Sequence, residues 1–268
     1  MIRVAAVGDV HLGADARGRL RPALEHLPDR ADVLVLAGDL TRHGTAEEAA
    51  IVAREFGDLG LPVLAVLGNH DHHADAVAEV TRVLRDEGGI RVLEGDGVVL
   101  PVNGLRLGVA GVKGFGGGFE GRCASAFGEP EMKAFVGHTL DIADTLRAAL
   151  AALDCDVRIA LTHYAPVPDT LHGEPPEIYP FLGAYQLGEA VDATGTDLAL
   201  HGHAHLGCEH GVTPGGVRVR NVAQPVIRAA YTVYQLGPDG PPHGDGERQE
   251  TGAGLTGGGG PRGGEERP

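Results

Sequence analysis

The sequence predicts an α/β fold of two mixed β-sheets that face each other, with helices on the outside. Two observations carry this. Through the first hundred residues, short apolar runs alternate with amphipathic segments of helical period, the pattern of strand, crossover helix and parallel strand. Beyond residue 98 strand-like runs dominate, several of them too close for intervening helices, which favours hairpins.

Residues 33–37 and 63–67 are apolar, β-branched and bounded by Gly, Pro and Asp, so they read as buried parallel strands. Between them Thr45-Ala46-Glu47-Glu48 has the form of a capping box, and Val52, Phe56 and Leu59 follow at helical spacing. A second helix is expected over 74–87, with Val77, Val80 and Leu84 on one face. A third is expected over 139–153, with Ile142, Leu146, Ala149 and Leu153 on its buried side. Strands are expected at 98–100, 105–112, 157–162, 197–201, 217–222 and 231–236. Residues 111–130 and 172–185 read as long loops that could shape substrate access. Residues 237–268 hold twelve Gly and five Pro and no aromatic residue, so they are expected to form a flexible tail.

The 268 residues, 43% of them hydrophobic, suffice for a full core, and one domain over 1–236 is expected. The formal charge of −15 opposes long nucleic acids and anionic membrane surfaces as partners. With no Trp and eleven Phe and Tyr, platforms for base stacking are scarce. Cys123, Cys155 and Cys208 form no C-x-x-C spacing and no disulfide framework, which points to a reducing compartment. The opening apolar run is too short for a secretion signal, and no stretch reaches the length of a membrane span, so a cytoplasmic protein is expected. The composition gives no oligomeric state.

Function is carried by five short motifs: Gly8-Asp9-Val10-His11, Gly38-Asp39, Gly68-Asn69-His70-Asp71, the lone His163, and Gly202-His203-Ala204-His205. Asp9, Asp39 and Asn69 are thirty residues apart, the length of one strand, helix and strand unit, so successive strand ends would bring them to one sheet edge. Within the first and last motifs the ligand-type residues are two apart and would project to one side of an extended chain. The oxygen and imidazole donors suit Mn, Fe or Zn. His201 and His210 adjoin the last motif without belonging to it and read as packing or surface residues. Residues 116–121 satisfy G-x-G-x-x-G but open no helix of a βαβ unit, so no dinucleotide site is expected there.

This set of motifs resembles the calcineurin-like metallophosphoesterases, whose fold is a four-layer αββα sandwich. The resemblance implies two metal ions, divalent or mixed-valence. Asp9, His11, Asp39 and His205 would hold one, while Asp39, Asn69, His163 and His203 would hold the other. It further implies hydrolysis of small phosphomonoesters or phosphodiesters by in-line attack of a metal-bridging hydroxide. His70 would stabilise the transition state or protonate the leaving oxygen, and Asp71 would orient His70 or cap the next helix. Protein phosphatases of this superfamily continue their second motif as G-D-x-x-D-R-G, whereas this chain reads Gly38-Asp39-Leu40-Thr41-Arg42-His43-Gly44. With Arg42 in place of the second Asp, the chain resembles the smaller bacterial phosphoesterases and cyclic-nucleotide phosphodiesterases instead. Arg42 and His43 are candidates for binding substrate phosphate. The alternatives are a dedicated cyclic-nucleotide phosphodiesterase and a metal-binding scaffold without turnover.

Overall fold

In the computed structural model, residues 1–237 and a strand at 247–249 are described. In chain order the elements are β1 (Ile2–Val7), β2 (Val33–Ala37), α1 (Ala46–Phe56), β3 (Val63–Val66), α2 (Val77–Gly88), β4 (Arg91–Val92), β5 (Asp96–Val102), β6 (Leu105–Val112), β7 (Gly118–Phe119) and β8 (Arg122–Cys123). They continue as α3 (Pro130–Ala151), β9 (Val157–Thr162), α4 (Tyr185–Asp192), β10 (Leu198–His201), β11 (His210–Val212), β12 (Arg218–Asn221), β13 (Tyr231–Leu236) and β14 (Glu247–Gln249). Apart from Gly237 and β14, the expected tail lies outside the described residues.

Two six-stranded sheets result, ordered β14-β13-β1-β2-β3-β4 and β11-β12-β10-β9-β6-β5. Strand alternation makes them a sandwich. From β1, Val4 and Ala6 face Val109, Ile159, Leu161 and Leu200 of the other sheet, while Ala5 and Val7 turn outward to Val52 and Phe56 of α1 and Leu84 of α2. The second sheet sends Ala110, Ala160 and Ala199 outward against Leu146 and Leu150 of α3 and Leu187 of α4. The layers are therefore αββα.

The second sheet departs from the expectation of hairpins. Only its two edges are antiparallel, β5 with β6 and β11 with β12, whereas β6, β9, β10 and β12 run parallel. The crossovers are α3 and α4. Helix α3 begins nine residues before the expected 139, with Pro130 in its first turn, and its early turns are largely exposed and so carry no apolar period. Helix α4 begins inside the stretch expected to be loop. The 111–130 segment likewise contains the hairpin of β7 and β8.

Helix α1 is capped as expected at one end of the box only. Thr45 Oγ1 accepts from Glu48 N at 3.3 Å, but the Glu48 carboxylate turns to His43, taking its N–H at 2.6 Å. Among the described residues no helix is long and apolar enough to cross a membrane. All three cysteines are free thiols.

Phe56 is fully buried between α1 and the first sheet. Phe56→Ala is expected to lower stability by about 3–5 kcal/mol, checked by urea unfolding monitored by circular dichroism.

Candidate metal centre

Every motif leaves a strand at the same rim. Asp9 and Asp39 lie two residues beyond β1 and β2, Asn69 three beyond β3, His163 directly after β9, and His203 two beyond β10. The two sheets are pinned together there by backbone bonds from Gly8 N to Val222 O and from Gln224 N to Gly8 O, each 2.9 Å.

Leaving a strand and reversing direction within two residues demands unusual backbone. Eight non-glycine residues among those described have positive φ, and Asp9, His11, Asp39 and His203 are four of them. The motif glycines serve close approach. A Cβ at Gly68 would collide with Asp39 Oδ1, and one at Gly202 with Asp9 Oδ2.

Three overlapping groups of ligand atoms gather at the rim, each with its atoms within 4.8 Å of one another: Asp9, His11 and His205; His11, Asp39 and His70; Asp39, His163 and His203. His205 Nε2 lies 2.8 Å from Asp9 Oδ1 and 3.5 Å from His11 Nε2. His163 Nε2 lies 3.0 Å from Asn69 Oδ1 and 3.4 Å from Asp39 Oδ1. All the metal-type residues named from the sequence are therefore brought together.

Backbone carbonyls decide which imidazole nitrogen faces the cluster. His163 Nδ1–H donates to Ala37 O at 2.8 Å, so its Nε2 carries a lone pair toward Asn69 and Asp39. His203 does the reverse, giving Nε2–H to Phe181 O at 3.1 Å and freeing Nδ1. His163 Nε2, Asn69 Oδ1 and Asp39 Oδ1 then confront one another as acceptors, an arrangement that requires a cation or a proton among them. The electrostatics say the same. Burial pushes His163 down, but the Asp39 carboxylate outweighs it and lifts the imidazole to about 9, while Asp39 itself is driven well below the carboxylate range against its own burial. Burial, assisted by His163, pushes His203 down to about 3 and leaves it neutral, as a ligand must be. The donor set fits divalent metal ions.

His70 sits beside this cluster with its N–H on Asp39 Oδ1 at 2.8 Å and its ring 4.5 Å from that of His11. Its Nδ1–H donates to the Arg42 carbonyl at 2.8 Å, so Nε2 is the free nitrogen. Position 42 thus matters through its backbone. The Arg42 side chain pairs with Asp15 at 3.0 Å and His43 with Glu48 at 2.9 Å, so the two candidates for binding phosphate are both engaged elsewhere. Asp71, expected to orient His70 or cap a helix, does neither. Its fully buried carboxylate accepts from Leu40 N, Thr41 N, Thr41 Oγ1 and Gly68 N at 2.6–3.2 Å, tying the loop after β2 to the loop after β3. His201 is a packing residue as expected, buried with Nε2 on Thr170 Oγ1 at 2.8 Å.

Sequence reasoning missed the three carbonyls of Ala37, Arg42 and Phe181, which have no side-chain signature. It also missed Glu174, whose carboxylate accepts from Leu206 N at 2.7 Å and staples the 172–185 segment to the last motif. The spacing of Asp71 from Asn69 gave no sign of its four donors.

Removing Asp71 would leave those donors unpaired in the interior. Asp71→Ala is expected to cost about 3–5 kcal/mol of stability, and Asp71→Asn less, because the amide oxygen keeps part of the network. Thermal unfolding of the two variants beside the parent checks this.

The sequence matches the family model of calcineurin-like phosphoesterases over residues 2–207. No curated protein sequence matches the chain. Among solved structures, phosphopantetheinyl hydrolase from Mycobacterium tuberculosis is 17% identical with a TM-score of 0.59, the match covering 82% of this chain and 88% of that one. A protein of Thermus thermophilus, TT1561, is 20% identical with a TM-score of 0.53 over 87% and 93% of the two chains. GAP50, the anchor in the inner membrane complex of Plasmodium, is 10% identical with a TM-score of 0.51 over 95% and 90%. A hydrolase and an anchor share this architecture, so these likenesses show the fold alone. It is the family match over 2–207, together with the His and Asp cluster at the sheet rim, that assigns function at the level of class: the chain belongs to the calcineurin-like phosphoesterases and is a phosphate-ester hydrolase.

Proposed function

We propose that the chain is a dinuclear metal-dependent phosphoesterase acting on small phosphomonoesters or phosphodiesters. The observation that carries this is the double membership of Asp39, which belongs both to the group with His11 and His70 and to the group with His163 and His203. One carboxylate faced by two sets of lone pairs is what a bridging ligand requires. Asp9, His11, Asp39 and His205 would hold one ion; Asp39, Asn69, His163 and His203 would hold the other. Bound there, two Mn, Fe or Zn ions would neutralise phosphate charge and bring the pKa of a water near neutrality, supplying the nucleophile for in-line attack.

The chain's own part centres on His70. The Arg42 carbonyl fixes its tautomer and presents Nε2 outward, where a protonated ring meets a phosphoryl or leaving-group oxygen. The charge of −15 favours a small substrate over a polymeric anion, and three free thiols favour a reducing compartment such as the cytoplasm.

The test is turnover of a panel of phosphate esters by metal-depleted protein repleted in turn with Mn, Fe, Zn or Mg. Turnover restored by metal is expected; a protein that binds two ions yet hydrolyses none of the esters is a scaffold. Asp39→Ala should lose metal and turnover together, and retention of two ions on elemental analysis would refute the bridge. Asn69→Ala should weaken one ion more than the other.

His70→Ala should keep its metals. If the ring protonates the departing oxygen, the loss on an alkyl or ribose ester is about a hundred to ten-thousandfold, and far smaller on a p-nitrophenyl ester, whose anion leaves unaided. An equal loss on both would assign the ring to charge stabilisation at oxygens the two esters share.

A further inference from the structure

The chain carries twenty Arg and only two Lys. One of them, Lys113, directly follows β6 at the same rim as the ligand motifs. Its carbonyl accepts from His163 N at 2.9 Å and from Tyr164 N at 3.1 Å, so its backbone is fixed to the cluster. Its side chain is half-buried, with the ammonium 5.4 Å from the ring centroid of Phe115 and 5.5 Å from that of Tyr164, two rings themselves 6.1 Å apart. Tyr164 in turn lies 4.4 Å, centroid to centroid, from His203. The ammonium thus lies against Tyr164, the ring that packs on the ligand-type His203.

Among the described residues no carboxylate lies within ion-pair distance of this ammonium and no hydrogen-bond acceptor is assigned to it. Burial pushes it down, partly offset by Glu94 and Asp39. Two aromatic faces hold a cation in place but accept no hydrogen bond from it, so its N–H groups remain available to an anion. Through Tyr164 the ammonium flanks the group of Asp39, His163 and His203, whereas His70 is grouped with His11 and Asp39.

Resting on the phosphoesterase reading of the same site, we propose that Lys113 binds a second anionic group, phosphate or carboxylate, carried on the part of the substrate that does not react. The natural substrate is then a phosphate ester with two anionic ends.

The test compares the parent, K113Q and K113R, loaded with the metal that supports most turnover, on phenyl phosphate, 3-carboxyphenyl phosphate and 1,3-phenylene bisphosphate. The parent should prefer the doubly anionic esters. K113Q should lower that preference, expressed as a ratio of kcat/KM to phenyl phosphate, by about ten- to a hundredfold, mostly through KM, and K113R should restore part of it. A loss confined to the bisphosphate identifies the second group as phosphate; a loss on both esters supports any anion. An unchanged ratio overturns the proposal. Calorimetry with methylenediphosphonate reads the same contrast without hydrolysis: binding at least tenfold weaker to K113Q supports the role of Lys113, and equal binding refutes it. Absence of turnover by the parent would count against the phosphoesterase reading while the calorimetric comparison still decides the lysine.

Discussion

The hydrogen bond from His163 Nδ1 to the Ala37 carbonyl joins the two halves of the molecule at the point where chemistry is concentrated. Ala37 is the last residue of β2 in the first sheet, and His163 is the first residue after β9 in the second. The bond fixes the lateral position of one sheet against the other, and it selects the imidazole nitrogen that faces Asp39 and Asn69. With both residues buried, water offers neither an alternative partner, so the bond holds a geometry that a surface contact would not. The apolar interface between the sheets supplies the free energy of association but little direction. Polar bonds at the rim supply the direction.

Strain is the counterpart of that convergence. Asp9, His11, Asp39 and His203 sit in the left-handed region, at about 1–2 kcal/mol each for residues with a Cβ. Such backbone persists only where its surroundings over-determine it. Here both oxygens of Asp9 accept from His203 N at 3.0 Å, Asp39 accepts from His70 N, and Asp71 closes the loops beneath. The cluster is rigid because its supports are backbone amides at strand ends, not long side chains in solvent.

This explains what could be read from sequence. Ligand-type residues and their thirty-residue rhythm are properties of residue identity and chain length, so Asp9, Asp39 and Asn69 are assignable to one sheet edge from the sequence alone. Strands 33–37, 105–112, 157–162 and 231–236 emerge with the expected bounds because buried strands are uniformly apolar. Helix α3 is longer than its apolar period because its first turns face solvent, and α4 is hidden by the Pro and Gly preceding it. The parallel order of β6, β9, β10 and β12 is lost with those helices, since crossovers are what distinguish it from a run of hairpins. Within the site, the acceptors for His70, His163 and His203 are carbonyls, which every residue carries. Asp71 reads as a partner of its neighbour His70 because sequence adjacency is visible, while its true donors, thirty residues back at Leu40 and Thr41, are not.

The partner of His70 has an evolutionary consequence. A carboxylate that orients a catalytic imidazole can be lost by one nucleotide change, and lineages that rely on one must hold that codon fixed. The Arg42 carbonyl survives every substitution at its position that keeps the backbone path. Residue 42 is therefore released from the duty of aligning the ring, and its side chain, now exposed and paired with Asp15, is open to drift or to recruitment at the mouth of the site. Descendants of this chain could change what they admit without first dismantling what they do to it.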